Sequence, residues 1–188
     1  MTASTQTITD LAGDYQLDPA HSRLGFVARH AMVTKVRGQF TDFEGTGHLD
    51  VTDPSRSTVE VRITVASLST QQQQRDDHLR SADFFDVENY PEIVFRSTAI
   101  ERVADGTFRV SGDLTINGGS KPLTIDFEST GLAKDPFGNV RAGFEGSVQV
   151  NRKDWGLVWN AALETGGVLV SDKVTLELDL SAIKTDAS

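Results

Sequence analysis

Apolar and polar residues alternate along most of this chain. The stretch "STVEVRITVASL" puts Val59, Val61, Ile63 and Val65 on one side and Glu60, Arg62 and Thr64 on the other. "VTLELDLSAI" repeats the arrangement, with Val174, Leu176, Leu178 and Leu180 against Thr175, Glu177, Asp179 and Ser181. Phe108, Val110, Leu114 and Ile116 alternate with polar neighbours in "TFRVSGDLTI", as do Leu123, Ile125 and Phe127 in "PLTIDFES". A period of two predicts strands with one buried and one wet face. Between the runs, "ADGT" at 104–107 and "NGGS" at 117–120 carry the Asp-Gly and Asn-Gly pairs of tight hairpins, while "DPSRS" and "DPFGN" read as longer loops. The pattern predicts eight strands: 14–30 (bent near Pro19), 38–51, 57–67, 93–102, 107–117, 121–133, 139–151 and 172–183. Glycines inside "EGTGHL" and "AGFEGSV" predict bends or bulges.

Two stretches break the alternation. "TQQQQRDDHLRSADFFDVENY" at 70–90 and "NRKDWGLVWNAALETGGVLVS" at 151–171 lack the period of two and predict short helical segments near 75–86 and 151–160. The fold class is therefore all-β. Sequential antiparallel strands remove their exposed edges by closing, so an eight-stranded antiparallel barrel is preferred to a two-sheet sandwich. A barrel of that size is either filled by side chains or holds one small ligand.

Composition narrows the possibilities. The 188 residues suit one domain, read as 13–184 behind a flexible tail at 1–12. There are no cysteines, which excludes disulfides, thiolate metal sites and cysteine nucleophiles. No run reaches the ~20 apolar residues that span a bilayer, and "MTASTQTITD" has no secretory pattern, so a cytoplasmic location is expected. A net charge of −9 disfavours nucleic acid and electrostatic docking to membranes. Basic character survives locally, at Lys35 with Arg37 and in "RKD" at 152–154, where a small anionic headgroup could be received.

The candidate chemistry is sparse. "DPAHS" holds Asp18, His21 and Ser22, the residue types of a hydrolytic triad, but neighbours on a strand point to opposite faces and the stretch reads as a hydrogen-bonded turn. His30 ends a strand near a barrel mouth, and His48 is expected to face solvent. "RDDHLRSADFFD" concentrates one histidine, two arginines and four aspartates around Phe84-Phe85. On a helix Asp76 and His78 lie ~200° apart, which argues against a shared metal ion and for a polar cap over buried Leu79, Phe84 and Phe85. Trp155 and Trp159 are four apart and share a face if helical, beside basic Arg152 and Lys153. No phosphate-binding glycine loop or dinucleotide motif is present.

The chain resembles the YceI-like family of lipocalin-like, polyisoprenoid-binding bacterial barrels. The resemblance rests on "YQLDPAHSRLGFVARH", "VTKVRGQFTDFEGTGHL", "QQQRDDHLRSADFFDVENYPEIVFRS", "VSGDLTINGGSKPLTI", "VNRKDWGLVWN" and "VSDKVTLELDL", in the family's order over roughly 14 to 183. One departure is Tyr15, where many relatives carry tryptophan. The resemblance implies a barrel around a long apolar channel for an isoprenoid or similar amphiphile, with no catalysis and no cofactor. The expected role is storage or transport of an isoprenoid quinone or polyprenyl phosphate precursor. Side-chain chemistry nominates Phe26, Phe40, Phe43, Phe95, Phe127 and Phe144 with strand aliphatics for the tail, and Leu79, Phe84 and Phe85 for closure. Trp155 and Trp159 are nominated beside them, and His30, Arg37, His78 and Arg152 for the headgroup. No nucleic-acid partner, no stable membrane insertion and a possible homodimer complete the expectation. Two alternatives stay open: a metal-assisted hydrolase using His21, Asp76 and His78, and a filled barrel acting as an interaction module.

Overall fold

The computed structural model describes residues 11–164 and 166–185. Its strands are β1 (Gly13–Leu17), β2 (Arg23–His30), β3 (Thr34–Phe40), β4 (Phe43–Leu49), β5 (Thr58–Thr64), β6 (Leu68–Ser69), β7 (Glu92–Ala104), β8 (Thr107–Ile116), β9 (Gly119–Lys134), β10 (Val140–Asn151) and β11 (Lys173–Lys184). One α-helix, α1, covers Gln73–Arg80. Among the described residues, no helix is long and apolar enough to cross a membrane.

Predicted strands 14–30 and 38–51 are each interrupted once, and 57–67 ends in a turn beyond which β6 resumes the pairing. Pro19–His21 form a 3-10 turn, capped by Asp18, that separates β1 from β2, the bend expected near Pro19. β1 and β2 still pair with one neighbour, β11, through Leu17↔Ala182 and Leu24↔Leu178. β3 runs into β4 across Thr41-Asp42, and β5 into β6 across the 3-10 turn Val65–Ser67. Counting each interrupted pair once gives eight antiparallel strands. The sheet closes because β1 pairs both β4 and β11. The first helical expectation becomes α1 followed by turns, and the second shrinks to a 3-10 turn at Arg152–Trp155.

Alternation sets which side chains enter the barrel, and three glycines set how much room remains. Phe26 lies opposite Gly38 and Phe127 opposite Gly146. A Cβ at either glycine would run into the ring. At Gly112 it would meet the Phe95 ring and the Arg96 carbonyl. Each ring thus lies flat over a missing side chain on the neighbouring strand, covering the glycine without crossing the barrel. Gly143/Phe144 marks a register shift in β10, the irregularity that "AGFEGSV" predicts. "EGTGHL" shows none; it pairs regularly with β5.

The barrel's ends differ. At one, Leu11, Tyr15, Phe108, Ala142 and Ala182 form a buried plug, and the Tyr15 hydroxyl donates to the Leu11 carbonyl at 2.8 Å. Leu11 therefore belongs to the packed body, which corrects the expected tail boundary at 12; the tail's other residues, 1–10, lie outside the described residues. At the opposite end, α1, the turns of 81–91 and the segment 152–171 cover the mouth.

Candidate functional site

A cavity of about 310 Å³ runs inside the barrel. All but two of the strands contribute aliphatic or aromatic side chains, among them Val61, Ile63, Ile125, Leu176 and Leu178. Leu79 from α1, Phe84, Phe85, Trp155 and Leu157 close it from above. A second space of about 120 Å³ lies toward the plug. Leu49, Val59, Val61, Phe144 and Leu180 line both. Phe144 is the one aromatic among those five, with its ring 6.3 Å from Phe108 at 77°.

The cap is built from polar ties around apolar plugs. Asp76, on the buried face of α1, accepts from the Thr70 amide at 2.8 Å and from its hydroxyl at 2.5 Å. Arg80 reaches the carbonyls of Ala66 and Leu68 at 3.1 and 2.5 Å. These bonds anchor the helix to β6 and leave Leu79 facing the cavity. Phe40 and Phe85 meet edge to face at 6.1 Å. The Trp155 indole donates to the Leu114 carbonyl at 2.8 Å, satisfying its one polar atom while its rings stay in the wall.

Among the described residues, Arg152 is the one ionisable side chain that lines the cavity, and it is 5% exposed. Its guanidinium donates to the carbonyls of Ser171 (2.9 Å), Leu157 and Val170 (3.4 Å), with Asp172 at 3.7 Å. Burial pulls its pKa below the usual arginine range, partly countered by Asp172. Its hydrogen bonds therefore tie the 157–171 segment to the end of β10.

The nominated residues divide cleanly. Phe26, Phe40, Leu79, Phe84, Phe85, Phe95, Phe127, Phe144, Arg152 and Trp155 all line the larger cavity. Five do not. Phe43 follows the Thr41-Asp42 break and packs with Leu17 and Leu24 within the wall. Arg37 sits on the outer face, between inward Val36 and Gly38, and reaches Glu177 at 3.5 Å. His30 is exposed at the end of β2. His78 bonds Asp83 at 2.9 Å outside the cavity and carries the ring of Trp159 at 4.5 Å, so this pair forms the cap's outer layer. Leu157 and Val170 line the cavity without having been nominated, because neither lies on an alternating run.

The hydrolytic alternatives are not assembled. His21 bonds Asp18 at 2.7 Å, Asp18 holds Arg141 at 2.6 Å, and Ser22 donates to the Ser181 carbonyl. His21, Asp76 and His78 each serve a different partner. Among the described residues, no three His, Cys, Asp or Glu side chains are grouped to hold an ion. His48 is half exposed and paired with Asp14 at 2.7 Å.

The sequence profile of the YceI-like domain matches residues 15–182. This chain belongs to the YceI-like family. The UPF0312 protein plu2095 of Photorhabdus laumondii is 41% identical over 147 residues, which is 77% of this chain and 76% of that relative. BcnA of Burkholderia cenocepacia superposes with a TM-score of 0.77 at 23% identity, over 88% of this chain and 98% of its own. A polyisoprenoid binding domain from Saccharophagus degradans, implicated in plant cell wall breakdown, superposes at 0.68 and 15% identity, over 91% and 98%. Both structural likenesses are of fold.

Proposed function

We propose that this protein binds a polyisoprenoid lipid in its barrel and stores or carries it without reacting with it. The observation that carries the reading is the 310 Å³ cavity whose wall is apolar apart from one arginine already engaged with carbonyls. An apolar cavity of ~150 Å³ accepts benzene, so this one takes on the order of twelve carbons, or two to three isoprene units. At ~0.8 kcal/mol per buried carbon their transfer gains roughly 10 kcal/mol, set against several to ~15 kcal/mol for lost freedom. Affinity is thus governed by the length of tail taken in. Headgroup selection is weak, because His30, Arg37 and His78 lie outside the cavity and Arg152 spends donors on the cap.

The test is mass spectrometry of an organic extract of gently purified protein, beside native mass spectrometry of the intact chain. One prenyl species near stoichiometric amount supports the reading and identifies the cargo as quinone or prenyl phosphate. A chain that carries no amphiphile and takes up no added prenyl lipid would refute it.

A further inference from the structure

The hairpin joining β2 to β3 has three properties that its fold does not require. First, its tip is apolar and exposed: Met32 is 60% and Val33 74% accessible. Second, the tip is strained. Val33 donates back to the His30 carbonyl at 3.2 Å, and the two central residues, Ala31 and Met32, have φ of 50° and 67°. Asn-Gly is the pair that suits such a turn, and it stands at 117–118 in this same barrel. Third, the flanks are basic. Arg29 and Lys35 lie directly opposite each other in the strand register, a like-charge pairing that works against the hairpin.

No acidic residue occurs between Pro19 and Thr41, where Arg23, Arg29, Lys35 and Arg37 all fall, although the chain carries −9 overall. Among the described residues Lys35 has no ion pair; Arg37 and Arg23 share Glu177 at 3.5 Å. The neighbouring segment 157–171 adds one acidic residue, Glu164. An apolar point flanked by two cations that make no ion pair among the described residues, Arg29 and Lys35, is complementary to an anionic lipid surface, which neutralises the flanks while the tip enters the headgroup layer. The tip is also tied to the mouth. Ala31 donates to the Leu169 carbonyl at 2.8 Å, Ser171 to that of Arg29 at 3.0 Å, and His30 bridges Val170, which lines the cavity.

We propose that the β2–β3 hairpin is a reversible docking tip for anionic bilayers, presenting the capped mouth of the barrel to the membrane. This goes beyond lipid binding in the cavity and does not depend on which lipid fills it. The local charge overrides the expectation, drawn from the net charge, that electrostatic docking is disfavoured.

The experiment is flotation of the whole chain with vesicles of phosphatidylcholine alone and of phosphatidylcholine mixed with phosphatidylglycerol. Binding to the mixed vesicles that falls as salt is raised is the expected result. Ala31→Asn with Met32→Gly gives the turn its preferred residues while removing the Met32 side chain, which is 60% exposed and rests its sulfur over Gly167. It should leave Tm unchanged or raised and weaken vesicle binding about tenfold. Arg29→Gln with Lys35→Gln should relieve the like-charge pairing yet weaken binding about 30-fold, roughly fivefold per charge. Phe137→Ser changes an apolar tip at the opposite end, 89% exposed, and should have no effect. Uptake of farnesol from solution should be unchanged in all three variants. Equal binding to both vesicle types, no flotation, or loss of binding in Phe137→Ser would overturn the assignment. So would loss of farnesol uptake in the tip variants, which would make the tip part of the cap alone.

Discussion

Phe144→Ala tests whether the two internal spaces set tail length. Phe144 stands between the larger cavity and the space of about 120 Å³ above the plug. Removing its ring opens a benzene-sized volume, ~150 Å³ or six carbons, and joins about five carbons' worth of space beyond it. The accessible tail should lengthen by about ten carbons, two isoprene units. Displacement of a fluorescent prenyl probe by geraniol, farnesol and geranylgeraniol reads this directly. In the unaltered protein affinity should rise from geraniol to farnesol and then level off. In the variant geranylgeraniol should bind at least tenfold more tightly than farnesol, a fraction of the ~4 kcal/mol gross gain per added unit once ordering is subtracted. Thermal unfolding supplies the control. A Phe→Ala truncation costs 3–5 kcal/mol when the ring is fully buried, and this half-buried one should fall near ~3. An identical length preference in both proteins, with the expected loss of stability, would show that the spaces do not act as one channel.

Phe84→Ala and Phe85→Ala should each speed release of a bound prenyl probe in a chase experiment; unchanged release from folded protein would show that these rings are not the closure. Gly146→Ala should push the Phe127 ring off the wall into the cavity, lowering stability by ~1–3 kcal/mol and reducing uptake of farnesol. Arg152→Met should leave the carbonyls of Leu157 and Ser171 without their donor, while that of Val170 keeps Asn160, costing about 3 kcal/mol and raising amide hydrogen exchange through 157–171. At Asp135, burial opposes the charge, but hydrogen bonds from Arg141, Asn139 and Phe137 outweigh it and hold its pKa at about 2. A folded pKa below the unfolded ~3.9 adds stability that is complete above ~pH 5 and lost as pH falls through about 2. Asp135→Asn should therefore be less stable than the natural chain at neutral pH, with the difference in urea midpoint closing below ~pH 3.

The barrel was legible because its wall repeats one rule: every second residue is apolar, and the same residues line the cavity. Val59, Val61 and Ile63, or Val174 through Leu180, needed no further signal. Arg37 was open to the same reading. It falls out of phase with Phe40 and between Val36 and Gly38, so alternation alone puts it outside. Phe43 escaped because the Thr41-Asp42 break resets the phase, which composition does not mark. The three flat phenylalanines were visible only as phenylalanines. That each covers a glycine on another strand is a cross-strand fact, set by register. Arg152 stood out as a cation near a mouth, but its carbonyl partners come from a segment with no periodicity, so its service to the cap was hidden.

The cavity is itself an energetic argument. Residual apolar voids cost ~24 cal/mol per Å³, which makes 310 Å³ worth about 7 kcal/mol against a filled interior. That is comparable to the whole stability of a typical domain. A helical core could relax inward to recover part of it. A closed barrel resists, because strand number and stagger fix its diameter and every strand except the two-residue β6 is held on both sides. Nothing in the alternation prevents larger side chains at Gly38, Gly112 or Gly146, yet these positions let the neighbouring rings lie flat and keep the centre open. An interior kept open at that cost supports the proposed binding role over that of a filled scaffold. Ligand that enters it binds the folded state alone and returns part of the cost, about 2.7 kcal/mol at a hundredfold excess over Kd. Tm should rise with added prenyl lipid; a barrel serving only as an interaction module would melt at the same temperature with and without it.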